Sequence, residues 1–341
     1  MKKKLSVIIL LFLIFRGHTQ VKTMVFLKQY GHRVEVKINN KVVTSFLYPD
    51  SLEKPVLYPL SALDGTIVTR GFPLSPKPGE PIDHPHHVGA WFTYENVNGL
   101  DFWNNSYAIA AEKKKSYGWI KVTNVSTSNG EKGKLVYKAN WQDYNKHVLM
   151  TENTTLLFFQ SGNSFVIDRT TSLKAVKAIH FADAKDGLYG LRLAHELQIP
   201  STEDQKFTDN KGNVTIVKAG TDHIPNGTYL TSEGKVGNEA WSTRGKWCVS
   251  YGKIGKDSVS VVIIDHPTNP NYPTFWHARG YGLFSANPLG ESVFTNGKSS
   301  KNLELKIGES VTFKYRVVIN AANQFLRPAA IEILSDEFAK K

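Results

Sequence analysis

The stretch RVEVKI at residues 33–38 alternates charged and apolar side chains along its whole length. A period of two is typical of a β-strand that buries one face and exposes the other. The same alternation recurs in KLVYK at residues 134–138 and in LELKI at residues 303–307. The apolar run VSVVII at residues 259–264 predicts a strand that is buried on both faces. The chain is therefore predicted to be built mainly from strands.

Turn signals separate these runs, at residues 128–130, 161–163, 209–212 and 296–297. Many short strands between such turns favour an antiparallel sandwich or barrel. Residues 328–340 are the clear helical segment, because their apolar side chains recur at helical spacing. We expect an all-β fold, a large antiparallel β-sandwich that ends in a short C-terminal helix.

The N-terminus has the pattern of a signal peptide. Lys2, Lys3 and Lys4 precede an apolar run at residues 5–15, which is about half of the ~20 residues that a membrane-spanning helix needs. We expect residues 1–20 to be a signal peptide and residues 21–341 to form one domain, periplasmic or secreted and not inserted in a membrane after cleavage.

Charge and cysteine content narrow the class of partner. The formal net charge is +12, but the one dense basic run, at residues 113–115, follows Glu112 and is typical of a solvated turn. Nucleic-acid binding is therefore disfavoured, and a carbohydrate or glycan is the expected partner. Cys248 is the only cysteine, so no intramolecular disulfide can form; its apolar surroundings predict a buried thiol.

The strongest candidate site is DHPHH at residues 83–87. Pro85 favours an extended backbone on both sides of itself. In an extended segment His84 and His86 would project to one side and His87 to the other. Two imidazoles that converge on a ligand suit a general acid and base.

The same two histidines would also suit a divalent metal. Such a metal needs a further ligand beside His84 and His86, and Asp83, His277 and Glu196 are the candidates. Apart from this metal alternative, the sequence predicts no cofactor.

A second candidate stretch runs over residues 265–288. His277, Arg279 and Tyr281 alternate, so on a strand they would share one face, with Trp276 on the opposite face in the core. Together they offer a titratable nitrogen, a cationic fork and a phenol, a mixture that suits a sugar or a carboxylate.

A third candidate stretch runs over residues 180–196. Lys185 precedes a predicted Asp-Gly turn, Arg192 could reach the same pocket, and Glu196 is a possible general base. The sequence lacks a P-loop, a Gly-x-Gly-x-x-Gly after a strand, a Gly-x-Ser-x-Gly elbow and a His-Glu-x-x-His motif. Nucleotide cofactors and serine-hydrolase chemistry are therefore disfavoured.

These stretches together resemble a family of uncharacterised exported bacterial proteins often labelled methane oxygenase PmoA or PmoA-like. The resemblance is carried by Thr69-Arg70 with Pro73, by residues 83–87 with Gly89 and Trp91, by Asn98-Gly99 with residues 101–103, by Asp183, Lys185, Gly187, Gly190 and Arg192, and by Pro273-Thr274, Trp276-His277, Arg279, residues 281–284 and Asn287-Pro288. Leu289 departs from the phenylalanine expected there.

The resemblance implies a β-supersandwich similar to galactose mutarotase, in which a large sheet presents histidines and a carboxylate to a sugar. The name itself is no guide, because genuine methane monooxygenase subunits of that name are membrane proteins. Fold analogy supports a carbohydrate role without defining a reaction. The expected proton-transfer groups are His84, His86 and His277. The expected substrate-binding groups are Arg70, Asp83, His87, Lys185, Arg192, Arg279, Tyr281 and Asn287.

We therefore expect an exported carbohydrate-active protein that acts on a sugar or glycoside by histidine-mediated proton transfer, as an epimerase, lyase or hydrolase. Carboxylate pairs of the ordinary glycosidase kind are not evident in the sequence, which disfavours retaining hydrolysis. The residues leave two alternatives open, a non-catalytic glycan-binding protein and a histidine-ligated metal protein.

Overall fold

A computed structural model describes residues 23–201, 203, 205–208, 214–217 and 224–341. The expected signal peptide and the turn expected at residues 209–212 lie outside the described residues.

The strands in chain order are β1 (Val25–Tyr30), β2 (Arg33–Ile38), β3 (Lys41–Leu47), β4 (Val56–Leu57), β5 (Ala90–Tyr94), β6 (Trp119–Ser128), β7 (Gly133–Gln142), β8 (Val148–Ser161), β9 (Ser164–Ala175), β10 (Ile179–Phe181), β11 (Gly187–Arg192), β12 (Gln205–Thr208), β13 (Val214–Val217), β14 (Thr228–Thr231), β15 (Trp247–Ile254), β16 (Asp257–Asp265), β17 (Phe275–Ala278), β18 (Leu283–Asn287), β19 (Leu303–Leu305) and β20 (Ser310–Ala322). The helices are α1 (Glu291–Phe294) and α2 (Pro328–Ala339), with 3₁₀ turns at Ala111–Ser116, His195–Leu197 and Gly237–Ala240.

Two eight-stranded sheets contain most of these strands. The first sheet has the order β1-β2-β3-β4-β5-β11-β18-β17, and the second has the order β14-β15-β16-β20-β9-β8-β7-β6. Neighbouring strands in both sheets run antiparallel. The predicted all-β antiparallel sandwich is confirmed, and the stretch at residues 33–38 is β2 itself.

The predicted strand at residues 303–307 is shorter than expected. It ends at Leu305, because the chain turns at once and the backbone N–H of Glu309 donates to the carbonyl of Lys306 at 3.0 Å. The sequence pattern therefore continues to residue 307, although the backbone already turns after Leu305.

The core lies between the two sheets. Aromatic rings of the first sheet face rings of the second, with centroid distances of 4.7 Å for Phe46 and Tyr137 and 5.4 Å for Tyr189 and Tyr315. Burial of large side chains from both faces is the main stabilising contribution in such a sandwich. Trp276 is completely buried in this core, as its position opposite His277 predicted.

The C-terminal helix α2 packs on the outer face of the second sheet. Ile331 and Phe338 are buried against Val166 and Val318 of that sheet. Pro328 occupies the first helical turn, where its missing N–H costs nothing. The predicted C-terminal helix is confirmed. Among the described residues, no helix is long and apolar enough to span a membrane.

Candidate active site

The candidate site lies at one end of the first sheet, where β5, β11, β18 and β17 are neighbours. The histidine cluster at residues 83–87 leads into β5, Arg192 ends β11 and His277 lies on β17. Antiparallel pairing therefore brings together the three stretches that the sequence singled out, although they are far apart in the chain.

The histidine cluster forms a turn instead of the predicted extended segment. His84 has a backbone φ of +46°, and the N–H of His87 donates to the carbonyl of His84 at 3.0 Å. The His84 and His86 rings do lie together, with centroids 5.6 Å apart. The prediction that His87 projects to the other side is wrong, because the turn packs all three rings together. The ring centroid of His87 lies 4.9 Å from that of His84 and 4.2 Å from that of His86.

Gly89 fixes the path of the chain after this turn. Its φ is +56°, and a Cβ built there would lie 2.1 Å from the carbonyl oxygen of Leu57. No other residue fits both the conformation and the space. The histidine turn is thus anchored where it enters β5.

Asp83 is the electrostatic centre of the cluster. Its carboxylate accepts hydrogen bonds from Arg70 at 3.0 Å and from Arg192 at 2.7 and 3.0 Å, and it also pairs with the His84 ring. Burial opposes ionisation, but Arg192, the His84 hydrogen bond and Arg70 together hold the pKa of Asp83 well below its usual range. The carboxylate is therefore ionised at physiological pH.

Both arginines hold the turn instead of facing solvent, since both are almost completely buried. Arg70 donates to the carbonyls of Pro81, Asp83, His84 and His87. Arg192 Nη1 donates to Nδ1 of His87 at 3.2 Å. This bond keeps His87 in the tautomer with its proton on Nε2. We assign these arginines, with Asp83 and His87, to positioning the cluster.

Tyr281 closes over the exposed side of the turn. Its ring stacks on that of His84 with centroids 5.2 Å apart and planes 1° apart, and the Arg192 guanidinium lies 4.8 Å from its centroid. The predicted strand alternation of His277, Arg279 and Tyr281 is wrong, because β17 ends at Ala278. Arg279 and Tyr281 lie in the tight turn that joins β17 to β18.

His277 faces a carboxylate that the sequence reasoning treated only as part of a turn. Nδ1 of His277 lies 3.4 Å from Oδ1 of Asp186 without completing a hydrogen bond. The His277 side chain is 2% exposed and the Asp186 side chain 12%. A buried imidazole and a nearly buried carboxyl group therefore meet at one point.

The surroundings of His277 and Asp186 favour the neutral form of each side chain. Burial lowers the pKa of His277 well below its usual range, and the positive charges of Arg279 and Lys185 lower it further; a hydrogen bond to the Lys185 backbone opposes this shift without reversing it. Burial raises the pKa of Asp186; the nearby Lys185, whose Nζ lies 3.6 Å from Asp186 Oδ2, opposes this rise, and Asp101 adds to it. A neutral imidazole can accept a proton, and a carboxyl group with a raised pKa can donate one.

Trp241, which the sequence reasoning did not single out, completes this part of the site. The Arg279 guanidinium lies 4.0 Å from the Trp241 ring centroid, and the ring meets His277 edge-on at 4.7 Å. Trp241 lies in a loop remote from β17 in sequence, so only tertiary structure reveals its place. Glu95 was also missed; its carboxylate accepts the backbone N–H of Asp186 at 3.0 Å.

Three predicted site residues remain, and they differ in burial and in what they contact. Asn287 is fully buried, and its amide donates to the carbonyls of Ala184 and Lys185 at 2.8 Å, so it positions the segment that carries Asp186. The Lys185 side chain is 43% exposed and can reach a ligand. His86 lines a cavity of about 370 Å³ on the other side of the histidine turn.

The described residues do not provide the set of ligands that the metal alternative requires. In the part of the chain that the structure describes, no group of three or more His, Cys, Asp or Glu side chains could hold a metal ion. The Asp83 carboxylate, one candidate third ligand, is taken up by two arginines. Glu196, another candidate, lies in the 3₁₀ turn at residues 195–197.

The family is shown by a sequence model that matches residues 33–332, described as a family of unknown function, DUF6807. The chain belongs to this family. Among curated proteins, none matches the sequence.

Solved structures with a similar chain path include the GH36 alpha-galactosidase AgaB from Geobacillus stearothermophilus, at 11% identity and a TM-score of 0.40, covering 88% of this chain and 41% of that one. The Slr1438 protein from Synechocystis sp. PCC 6803 matches at 7% identity and a TM-score of 0.38, covering 88% and 96%. The alpha-galactosidase from Lactobacillus brevis matches at 8% identity and a TM-score of 0.36, covering 87% and 39%. The chain thus spans about two fifths of the alpha-galactosidases.

Proposed function

We propose that this protein is an exported carbohydrate-active enzyme that acts on a sugar or glycoside by proton transfer. The observation that carries the proposal is the pair of His277 and Asp186, whose facing atoms are 3.4 Å apart without a completed hydrogen bond. The proposed export rests on the N-terminal pattern at residues 1–20, and the compartment is the periplasm or the cell exterior.

The two members of the pair have complementary roles. His277, neutral because burial lowers its pKa, takes a proton from the substrate. Asp186, whose pKa burial raises, returns a proton to the departing or inverted centre. A pair of groups whose environments tune them in this way is a common basis for acid and base catalysis near neutral pH.

The surrounding residues would hold an oxygen-rich substrate. Lys185 and Arg279 are partly exposed cations beside the pair, and Trp241 supplies an aromatic face. Tyr281 and His84 form a stacked platform on the other side. Aromatic faces and charged donors around one point are the usual means of binding a sugar ring. A galactose-mutarotase-like cleft, implied by the resemblance to PmoA-like proteins, is consistent with this arrangement.

The test is a panel of free sugars and glycosides, each incubated with the purified protein in D₂O and followed by proton NMR. Epimerisation by removal and return of a carbon-bound proton places deuterium on a sugar carbon. Elimination instead removes that proton and gives a new vinylic proton signal, and hydrolysis or anomer exchange gives neither change. We expect turnover of at least one sugar, and Asp186→Asn should lower that turnover about 100-fold or more while it leaves sugar binding measurable by calorimetry.

The result that would contradict the proposal is binding of one or more sugars of the panel with no turnover of any of them. Such a result would favour the second candidate, a non-catalytic glycan-binding protein, in which the Tyr281–His84 platform is the main contact surface. Equal turnover by the wild type and Asp186→Asn would also reject the proposed role of the pair.

A further inference from the structure

The cavity behind the histidine turn is separate from the His277–Asp186 pair. Its volume is about 370 Å³, within the range of small-molecule binding sites. Most of its wall is apolar, formed by Leu52, Val56, Pro73, Leu74, Val88 and Tyr107. Its other lining residues include the polar side chains of Ser51, Glu53, Lys54, His86 and Asn105.

Lys54 is the unusual member of this wall because it is only 4% exposed. Its Nζ donates to the carbonyl of Trp103 at 2.6 Å and lies 5.9 Å from the Trp91 ring centroid. Among the described residues, no carboxylate lies within ion-pair distance of this ammonium group. A buried cation without a carboxylate partner is costly, so it is usually paired or placed to bind an anion.

The two carboxylates that act on Lys54 from a distance, those of Glu53 and Asp101, are bonded to other groups. Glu53 pairs with Lys114 at 3.6 Å. Asp101 accepts the backbone N–H of Asn104 at 2.8 Å and its side-chain amide at 2.9 Å. Both act on Lys54 only at a distance, and burial outweighs them and lowers the pKa of Lys54 to about 8. Neither therefore neutralises Lys54 directly.

His86 adds a second polar group that fits an anion. Burial and the positive charge of Lys54 lower the pKa of His86 well below its usual range. A neutral imidazole offers one N–H donor without competing with Lys54 for a counter-charge. The cavity thus combines apolar walls with a cation, a neutral donor and one carboxylate, Glu53, whose charge Lys114 already pairs.

We propose that this cavity binds a small carboxylate with an apolar body, whose anionic group pairs with Lys54 beside His86 and whose body contacts the apolar wall. Such a ligand neutralises the buried ammonium group and fills the apolar space. Binding here does not require the proposed reaction at His277 and Asp186, so the proposal stands or falls independently of the proposed function.

The test is isothermal titration calorimetry with phenylacetate and its neutral isostere phenylacetamide. Wild type should bind phenylacetate and should bind phenylacetamide about tenfold or more weakly. Lys54→Met should lose about tenfold or more in phenylacetate affinity. The exposed Lys113→Met removes the same charge elsewhere and should leave the affinity unchanged.

A second variant keeps the test decisive if Lys54→Met does not fold. Leu74 is 40% exposed at the cavity, so Leu74→Trp can fill the space without removing Lys54, and it should also weaken phenylacetate binding. Absence of phenylacetate binding to the wild type would overturn the proposal. So would equal affinity for the two ligands, or unchanged affinity in Leu74→Trp.

Discussion

Replacing Asp83 by asparagine is the sharpest structural test of the histidine cluster. Asp83→Asn removes the one carboxylate that both Arg70 and Arg192 share, with donor distances of 2.7 to 3.0 Å. The variant would leave two buried guanidinium groups without a directly paired carboxylate, although Glu80 still acts on Arg70 at a distance. Removing one partner of a buried ion pair costs about 3–5 kcal/mol, and two stranded cations place this variant towards the upper end.

That loss should be visible as a shift of the melting temperature. With an unfolding entropy of about 2.1 cal/mol/K per residue over about 300 residues, 3–5 kcal/mol corresponds to about 5–8 °C. Scanning calorimetry and urea unfolding at pH 7 would measure it. Asp336→Asn, at an exposed position on α2, is the matched control and should change the free energy of unfolding by less than about 0.5 kcal/mol.

The pH dependence of the free energy of unfolding provides a second test of this prediction. Because the pKa of Asp83 is lower in the folded protein than its usual value, its contribution to stability is present above the unfolded pKa of about 3.9 and is lost as the pH falls through the lowered folded pKa. The stability gap between wild type and Asp83→Asn should therefore narrow in strong acid. A loss below about 1 kcal/mol at pH 7 would refute the assignment of Asp83 as the centre of the cluster.

Three further predictions follow from single contacts. Gly190→Ala should destabilise the fold by about 1–3 kcal/mol, measured by urea unfolding, because its Cβ would lie 2.8 Å from the Trp103 ring; an unchanged midpoint would contradict this packing. Tyr281→Phe should keep turnover near the wild-type value, whereas Tyr281→Leu should lower it about two- to tenfold through loss of the stack on His84. Cys248 is fully buried, and burial raises the pKa of its thiol, so it should react with a thiol reagent only after unfolding; rapid reaction of the native protein would show the burial to be wrong.

The all-β class was predictable because side-chain alternation is a local property of the chain. Residues 33–38 and 259–264 lie in β2 and β16 as their patterns predict. The pairing order was not predictable in the same way. Residues 90–94 of β5 pair with residues 187–191 of β11, and that choice depends on packing between segments far apart in sequence.

The candidate site was predictable in composition but not in geometry. His277 was found because unusual side chains cluster around it, but the alternation with Tyr281 was misread as a strand. Gly282, with a φ of +89°, was the available sign of a turn there. Pro85 likewise suggested an extended chain where His84 adopts a left-handed conformation.

Lys54 and Trp241 could not have been found by this reasoning. Both are ordinary residues in their local sequence, and their roles depend on tertiary contacts with Trp103 and His277. Asp186 could have been identified from the sequence, because it lies beside Lys185 in one of the motifs that carry the family resemblance. Its apparent role in a turn obscured its proximity to His277.

The central claim is that His277 transfers protons, and the most direct measurement is kcat/KM of His277→Gln on the sugar that the wild type converts. The matched control is His147→Gln, because the His147 side chain is 63% exposed and lies between β7 and β8 of the second sheet, whereas the site is on the first. We expect His277→Gln to lose about 100-fold or more in kcat/KM with sugar affinity retained, and His147→Gln to match the wild type. Wild-type turnover in His277→Gln would contradict the claim.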